Sequence, residues 1–527
     1  MKVLLSDAIE QQCIDILKSE NLEVTLSPGL SPDQLKSVIG EYDALIVRSG
    51  TTVTADIIAA AKNLKVIGRA GAGVDNIDVD AATRKGIIVM NTPGGNTIST
   101  AEHTISMMLA LARNIPQADA SLKRGEWNRK KFLGMELFEK TLGILGLGKV
   151  GREVAVRCKA FGMKLLAFDP VLSADAAKDL GIELVGVKDL LRRSDIITIH
   201  TPLTNETRGI IGKSGFAICK KGVRIVNCAR GGIVDEGALL DALNAGIVGG
   251  AALDVFVTEP PGDNPLLKHP KVIATPHLGA STEEAQEKVA EQVARQVADA
   301  LHGRGVAGSV NADEFNKAMR AEVKPYLLLA EKFGLLVAQL KNGALRSLIL
   351  RVHGGVLFES REILGAAFLK GMFSAVLEEP INYLNAPLIA RERGIRLETI
   401  AGEKHENYSS LLSVRFETEK EKREISGTVF DNDRLRIVGI DGFHFEANPE
   451  GHLLFYSNVD RPGVVASVSR ILAKASINIA GMSLGRYGVG REALTIMAVD
   501  SAIPATILAE IASVEGLLEV KTVFLGK

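Results

Sequence analysis

Residues 141–162 read TLGILGLGKVGREVAVRCKAFG, and this stretch decides the fold. A short apolar run comes first, then Gly146, Gly148 and Gly151, then a run with helical spacing. Each glycine has a physical task in a strand-turn-helix unit. Gly146 permits the tight turn, Gly148 lets backbone approach a pyrophosphate, and Gly151 lets the helix pack against the strand. The helix start then offers unpaired amides to the anion. Such loops are common alone. Here an acid, Asp169, ends the next apolar run, MKLLAFD, eighteen residues after Gly151. A carboxylate at that place accepts ribose hydroxyls and repels a 2′-phosphate, and no Arg or Lys lies within several residues after it. The site reads as built for NAD rather than NADP.

The same strand-helix alternation extends to both sides. Upstream, KVLLSD, EVTLS, ALIVRS, KVIGRAG and IIVMNTP read as strands, with helices starting near Ala8, Ser31, Thr54 and Asp78. Downstream, DIITIHTPL, GVRIVNCARGG, GGAALDVFV and KVIATPH continue it. Alternation of this kind predicts α/β architecture with parallel sheets covered on both faces. Long helical stretches at 97 to about 123 and about 281 to 302 bracket the second unit. The expectation is a Rossmann-type NAD domain (97–281) inserted in a discontinuous, flavodoxin-like substrate domain (1–96 and 282–306).

Glycine-rich HGRGVAGSV (302–310) reads as a linker. From 310 to 449 the pattern changes to an α+β domain without a catalytic motif, in which LLSVRFETEKEKREISGTVF suggests a hairpin around the charged EKEKRE. Residues 451–527 read strand, helix, strand, strand, helix, strand, a ferredoxin-like order.

The 527 residues suit three to four such domains, and 46% hydrophobic residues suffice for more than one core. A formal net charge of -1 gives no bulk attraction to nucleic acid or an anionic membrane. Neither a signal peptide nor a charge-free apolar run long enough for a membrane helix is visible. Cys13, Cys158, Cys219 and Cys228 form no metal-ligand spacing, so a reduced, cytoplasmic protein without a structural metal is expected.

Three ionisable residues follow apolar strands of the second unit: Arg230 after VRIVNCA, Glu259 after ALDVFVT and His277 after VIATP. The carboxyl ends of parallel strands face the ligand crevice. Oxidising a secondary alcohol needs a base for the hydroxyl proton, and histidine titrates near neutrality. A carboxylate on its far nitrogen fixes the tautomer, which suits Glu259. Arg230 can grip a substrate carboxylate and polarise the developing carbonyl. Alone, His277 could be a surface residue and Glu259, before two prolines, a turn former. Their conjunction beside a dinucleotide loop favours chemistry.

The run from GRAGAGVDNID at Gly68 through GLGKVG, NCARGGIVDE at Asn227, ALDVF-TEPP and TPHLGAST resembles the D-2-hydroxyacid dehydrogenases over roughly the first 305 residues. The resemblance implies that Arg230 binds substrate, that Glu259 and His277 are the acid/base pair, and that Asp254 lies near the nicotinamide. It places Lys149, Val150, Thr201, Cys228 and Ala229 around NAD, with Arg230 and His277 also beside it. It implies that amides of the loop holding Ala72 and Gly73 help hold the substrate carboxylate, and that Arg48 and Arg69 are candidates for a substrate phosphate. The implied substrate is 3-phosphoglycerate. The alternatives are reduction of glyoxylate, hydroxypyruvate or 2-oxoglutarate, or a non-catalytic dinucleotide sensor. KRGEWNRKK (123–131) reads by default as a solvated helix end; the family reading has it reach a neighbouring subunit's site.

The last module resembles an ACT domain. VDRPGVV puts Asp460, Pro462 and Gly463 at the turn before its first helix, and Asn478 starts its next strand. The resemblance implies L-serine as effector, with Asn458, Asp460 and Asn478 as contacts at a seam between subunits of a homodimer or homotetramer. A pairing module that has lost its effector is the alternative. The segment 310–449 resembles the intervening domain of long-chain members.

Overall fold

Parallel pairing of short, β-branched strands builds the first two bodies. In the computed structural model, which describes residues 1–527 other than 313–316, 318–319, 379, 404, 432 and 527, the first sheet runs Glu23–Leu26, Lys2–Leu5, Ala44–Val47, Val66–Arg69, Ile88–Asn91 from edge to edge. All its pairings are parallel. In chain order this is 2-1-3-4-5, the flavodoxin-like order.

The second sheet has seven strands, ordered Val272–Ala274, Val248–Leu253, Val223–Asn227, Ile196–Ile199, Thr141–Leu145, Lys164–Phe168, Glu183–Leu184. Thr141 pairs with Lys164 on one side and Leu142 with Ile196 on the other. The chain therefore leaves the glycine-loop strand in one direction and returns past it in the other. That reversal opens a crevice at the carboxyl ends of the central strands, where open α/β sheets bind ligands. The expected α/β class holds for both bodies, and every strand proposed from the sequence forms here. The two-residue strand Glu183–Leu184 carries no signal of its own.

The Glu283–Leu301 helix returns to the first sheet. Thr282 caps it by accepting from Ala285 N, and Val289, Val293 and Val297 bury against Val3, Leu5 and Ile46. A Cβ on Gly68 would stand 2.7 Å from Val297 and 2.8 Å from Val293, so the strand must be bare there.

Two expectations change. The single helix to about Lys123 is two, Thr97–Arg113 and Ile115–Lys123, broken at Asn114 with φ 51°. Pro116 lacks the N–H a continuing helix needs and disfavours helical backbone before it. The glycine-rich linker is also partly structural. Asn91 N donates to Gly308 O and Val310 N to Val89 O, which covers the open edge of Ile88–Asn91.

The third region holds a six-stranded mixed sheet, including the expected hairpin of Leu411–Thr418 and Lys422–Phe430. The last module has strand order Ile479–Arg486, Glu492–Val499, His452–Val459, Leu517–Phe524, with helices Val464–Lys474 and Ala505–Ala512. Leu453, Phe455 and Val523 of this module share one apolar cluster with Phe333, Phe416 and Ile437 of the third region. The two regions thus pack as one core.

Candidate active site

The glycine loop takes the form the sequence requires. Gly146 sits at φ 92°, and a Cβ on Gly151 would lie 2.1 Å from Gly146 O. Gly148 caps the Lys149–Ala160 helix, with nothing within 4 Å of where its Cβ would be. Val150 lies in that helix's first turn, and Lys149 Nζ donates to Pro93 O of the first body at 3.1 Å.

Asp169 accepts from Leu147 N at 2.8 Å, Val171 N at 2.9 Å and Leu172 N at 3.1 Å. Burial pushes its carboxyl upward, but those three amides outweigh it and hold the group below its ordinary value. The residue is thus an anion tied to the glycine loop. Thr201 is next to this loop: a Cβ on Gly146 would stand 2.7 Å from Thr201 Cγ2. Its hydroxyl is buried and finds no partner among the described residues. Bare loop amides, an anchored carboxylate and an orphaned buried hydroxyl fit a dinucleotide whose phosphates and ribose supply the missing partners.

Past strand Val223–Asn227, Cys228 is buried and Ala229 N donates to Asn227 Oδ1 at 3.1 Å. Asn227 Nδ2 returns to Arg230 O at 2.9 Å, so one buried amide sets the turn that projects Arg230. Arg230 Nε then reaches Asp75 Oδ2 at 2.9 Å on the first body. A Cβ on Gly73 would fall 2.0 Å from Arg230 Nη2, and one on Gly71 would fall 1.9 Å from Arg69 Nη1. Two arginines therefore lie against the backbone of the Gly71–Gly73 loop, whose Ala72 O accepts from Asn91 Nδ2.

Arg48 stands at the end of the neighbouring strand. Its N donates to Asp7, its Nη1 to Ala8 O, and Asn76 Nδ2 donates to both Arg48 O and Thr51 O. Burial holds the Arg69 guanidinium below its ordinary value, and the charges of Arg230 and Arg48 depress it further. Arg69 Nε is buried without a partner among the described residues. Three guanidiniums thus lie within electrostatic reach of one another, with the carboxylates of Asp75, Asp7 and Glu10 among them.

After the two neighbouring strands of Arg230's sheet, His277 Nδ1 lies 2.8 Å from Glu259 Oε2, and Glu259 Oε1 accepts from Phe256 N at 3.0 Å. Burial raises the Glu259 carboxyl, but the bonds from His277 and Phe256 hold it lower overall. Nε2 of His277 makes no hydrogen bond among the described residues. Asp254 is fully buried behind this loop and binds it through Leu278 N and Gly279 N.

In the last module Asn458 Nδ2 donates to Val459 O, and its buried Oδ1 has no partner among the described residues. Asp460 pairs with Arg486 at 3.1 Å, and Asn478 Nδ2 donates to Asp500 Oδ2 at 2.8 Å. The three do not converge. Asn458 is level with Ala493, whereas Ile479, next to Asn478, is level with Val499. Six strand residues separate the two levels, roughly 20 Å.

Residues 105–279 match the D-isomer specific 2-hydroxyacid dehydrogenase NAD binding domain, 322–441 the D-3-phosphoglycerate dehydrogenase intervening domain, and 452–516 the ACT domain. The chain is 45% identical to a D-3-phosphoglycerate dehydrogenase of Archaeoglobus fulgidus over 98% of its own length and 99% of the relative's. It is 44% identical to one of Methanocaldococcus jannaschii over 99% of each chain. The chain belongs to the D-3-phosphoglycerate dehydrogenase family. A solved D-lactate dehydrogenase from Aquifex aeolicus, complexed with NAD and lactic acid, is 28% identical and covers 59% of this chain and 99% of its own, with TM-score 0.54.

As a member of the D-3-phosphoglycerate dehydrogenase family the chain is an NAD-dependent oxidoreductase. No helix among the described residues is long and apolar enough to cross a membrane. Two residues at the site escaped the sequence reading. Asp75 stands in the quoted GAGVDN run, but its partner Arg230 is 155 positions away. His103 sits in the Thr97–Arg113 helix, which buries Ala101, Ile105, Met108 and Leu111, yet its Nε2 lies 3.2 Å from Asp254 Oδ1.

Proposed function

We propose that this enzyme oxidises the C2 hydroxyl of 3-phospho-D-glycerate to give 3-phosphohydroxypyruvate, the entry to L-serine synthesis, in the cytoplasm. The observation that carries the reading is that Arg230, Glu259 and His277 follow three adjacent strands of one sheet, with Glu259 bonded to His277 at 2.8 Å and Arg230 reaching the body that bears Arg69 and Arg48. NAD, when bound, accepts the hydride with both bonding electrons from C2. His277 Nε2 takes the hydroxyl proton as the C–O bond becomes C=O, and Glu259 stabilises the resulting imidazolium through Nδ1. Arg230 and the amides around Ala72 and Gly73 hold the carboxylate, with Arg230 polarising the new carbonyl. Arg69 and Arg48 take the phosphate. Gly146, Gly148, Lys149, Val150, Gly151, Asp169, Thr201, Cys228, Ala229 and Asp254 line the NAD site.

In this reading the substrate domain is 1–96 with 282–306, the NAD domain 97–281, the intervening domain 310–449 and the ACT domain 451–527. Their arrangement supports feedback by L-serine in a homo-oligomer, dimer or tetramer. Asn458 and Asp460 of one copy then meet Asn478 of another, since one chain keeps them apart.

The test is steady-state turnover and calorimetric NAD binding. His277→Ala is expected to abolish turnover and retain NAD binding. Arg69→Ala is expected to raise KM for 3-phosphoglycerate far more than KM for unphosphorylated 2-hydroxy acids. Normal turnover by His277→Ala would overturn the mechanism, and wild-type indifference to the phosphate would overturn the substrate.

A further inference from the structure

The Thr97–Arg113 helix turns a polar face, Ser99, Thr100 and His103, to the segment that carries His277. Ser99 Oγ and Thr282 Oγ1 are 2.7 Å apart, and Thr100 Oγ1 donates to Gly279 O at 3.0 Å. His103 Nε2 lies 3.2 Å from Thr275 Oγ1 and 3.2 Å from Asp254 Oδ1. The Thr275 hydroxyl spends its proton on Asp254 Oδ1 at 2.6 Å, so both neighbours of Nε2 are acceptors. Nε2 must then carry the hydrogen.

Asp254 is where these bonds meet. Its Oδ1 also accepts from Leu278 N at 2.7 Å and its Oδ2 from Gly279 N at 2.9 Å, while its backbone oxygen accepts from His277 N at 2.9 Å. His277 itself sits at φ 54°, in the left-handed region that few residues with a Cβ adopt. A buried carboxylate with one donor missing would be free to shift, and the loop with it.

We propose that His103 is a positioning residue for the reaction: its Nε2–H fixes the Asp254 carboxylate, and through it the left-handed backbone that aims His277 at the substrate hydroxyl. The inference rests on His277 being the base. The neighbouring thiol does not turn the trio of His103, Cys228 and Asp254 into a cation site. Burial and the Asp254 charge push Cys228 up to about 12, which keeps it protonated, and both Asp254 oxygens already accept protein hydrogens.

The experiment compares His103→Leu, which fills the space without a donor, with His103→Gln, whose amide can return an N–H to the Nε2 position. His103→Leu is expected to lower kcat about tenfold or more, since small misplacement of a reacting group is costly. KM for the acid should stay within about twofold of wild type by the same argument, because Arg230, Arg69 and Arg48 are held by other partners than His103 and Asp254. The deuterium isotope effect with C2-deuterated substrate should rise, as chemistry becomes rate-limiting, which a general loss of stability would not produce. His103→Gln should recover most of kcat. Should the Leu variant not fold, His103→Phe carries the same expectation. Wild-type kcat in the apolar variant, or a Gln variant no better than it, overturns the proposal. If His277→Ala also turned over normally, the fault would instead lie in the choice of base.

Discussion

The Nε of Arg230 donates to Asp75 Oδ2 at 2.9 Å, and this ion pair joins the two walls of the cleft. Asp75 is mostly exposed, so the pair adds little to stability. On the proposed reading its larger effect is on substrate, because it sets a negative charge beside the guanidinium assigned to the carboxylate. Asp75→Asn keeps an oxygen for Arg230 Nε and removes the charge. At intermediate dielectric that charge costs an incoming anion about 1 kcal/mol. KM for the acid should therefore fall severalfold at low salt, with kcat unchanged and the difference shrinking as ionic strength rises. Steady-state kinetics across a salt series measures this, and a rise in KM would contradict it.

The loop opposite is bare for a reason of space. A Cβ on Gly73 would come within 2.0 Å of Arg230 Nη2, and the guanidinium, as the far end of a flexible chain, would be the part to move. Gly73→Ala is expected to raise KM for the acid about tenfold or more, the scale of one misaligned charge-assisted pair. Calorimetric NAD affinity should be unchanged, because the glycine loop at Gly146 lies on the other body.

Asp169 binds the loop amides and, on the proposed reading, also faces the cofactor ribose. Asp169→Ser can keep an oxygen for the local amides of Val171 and Leu172 but removes the charge that repels a 2′-phosphate. The NADP-to-NAD ratio of kcat/KM should rise by about one to two orders of magnitude, the worth of a charge repulsion of a few kcal/mol. An unchanged ratio would show that discrimination lies elsewhere.

These relationships were unequally legible in the sequence. The glycine loop, Asp169 and the strand ends bearing Arg230, Glu259 and His277 were readable because each is a local pattern. An apolar run stops, and a chemically apt residue follows. The break at Asn114 is local too, marked by Pro116 two residues on, but helical segments on both sides of it give one continuous helical pattern in the sequence. The role of His103 was not readable. Its partners Thr275 and Asp254 follow the strands Val272–Ala274 and Val248–Leu253, far along the chain, and nothing in a helix repeat reports which distant loop its polar face meets. The same holds for Asp75 and for the packing of the last two regions into one core.

Burial raises the Asp254 carboxyl, but the bonds from His103, Thr275 and Leu278 lower it more, leaving its native value below the ordinary one. The sign follows from linkage. A depressed native pKa contributes stability that is fully present above the unfolded value, about 4, and is lost as pH falls through the native value. Asp254→Asn lacks this contribution at every pH. The difference in Tm between wild type and Asp254→Asn should be constant from neutrality to about pH 5 and narrow below it. Thermal melts across that range decide the matter, and a gap that widens in acid would refute the assignment of Asp254 as a native anion.

Asn458 and Asn478 stand at opposite ends of one four-stranded sheet, so a single serine molecule can touch both only across two chains. That geometry gives a complementation test. Asn458→Ala and Asn478→Ala homo-oligomers each damage every seam, and both should lose serine inhibition. In a heterodimer of the two variants, one seam carries both substitutions and the other carries neither. Co-expression with two different affinity tags, followed by tandem purification, isolates that species. It should regain inhibition by millimolar serine at about half the wild-type number of bound molecules, counted by calorimetry, each intact asparagine supplying ordinary hydrogen bonds to the ligand. A heterodimer as insensitive as its parents would mean that serine, if it acts, is held by residues of one chain.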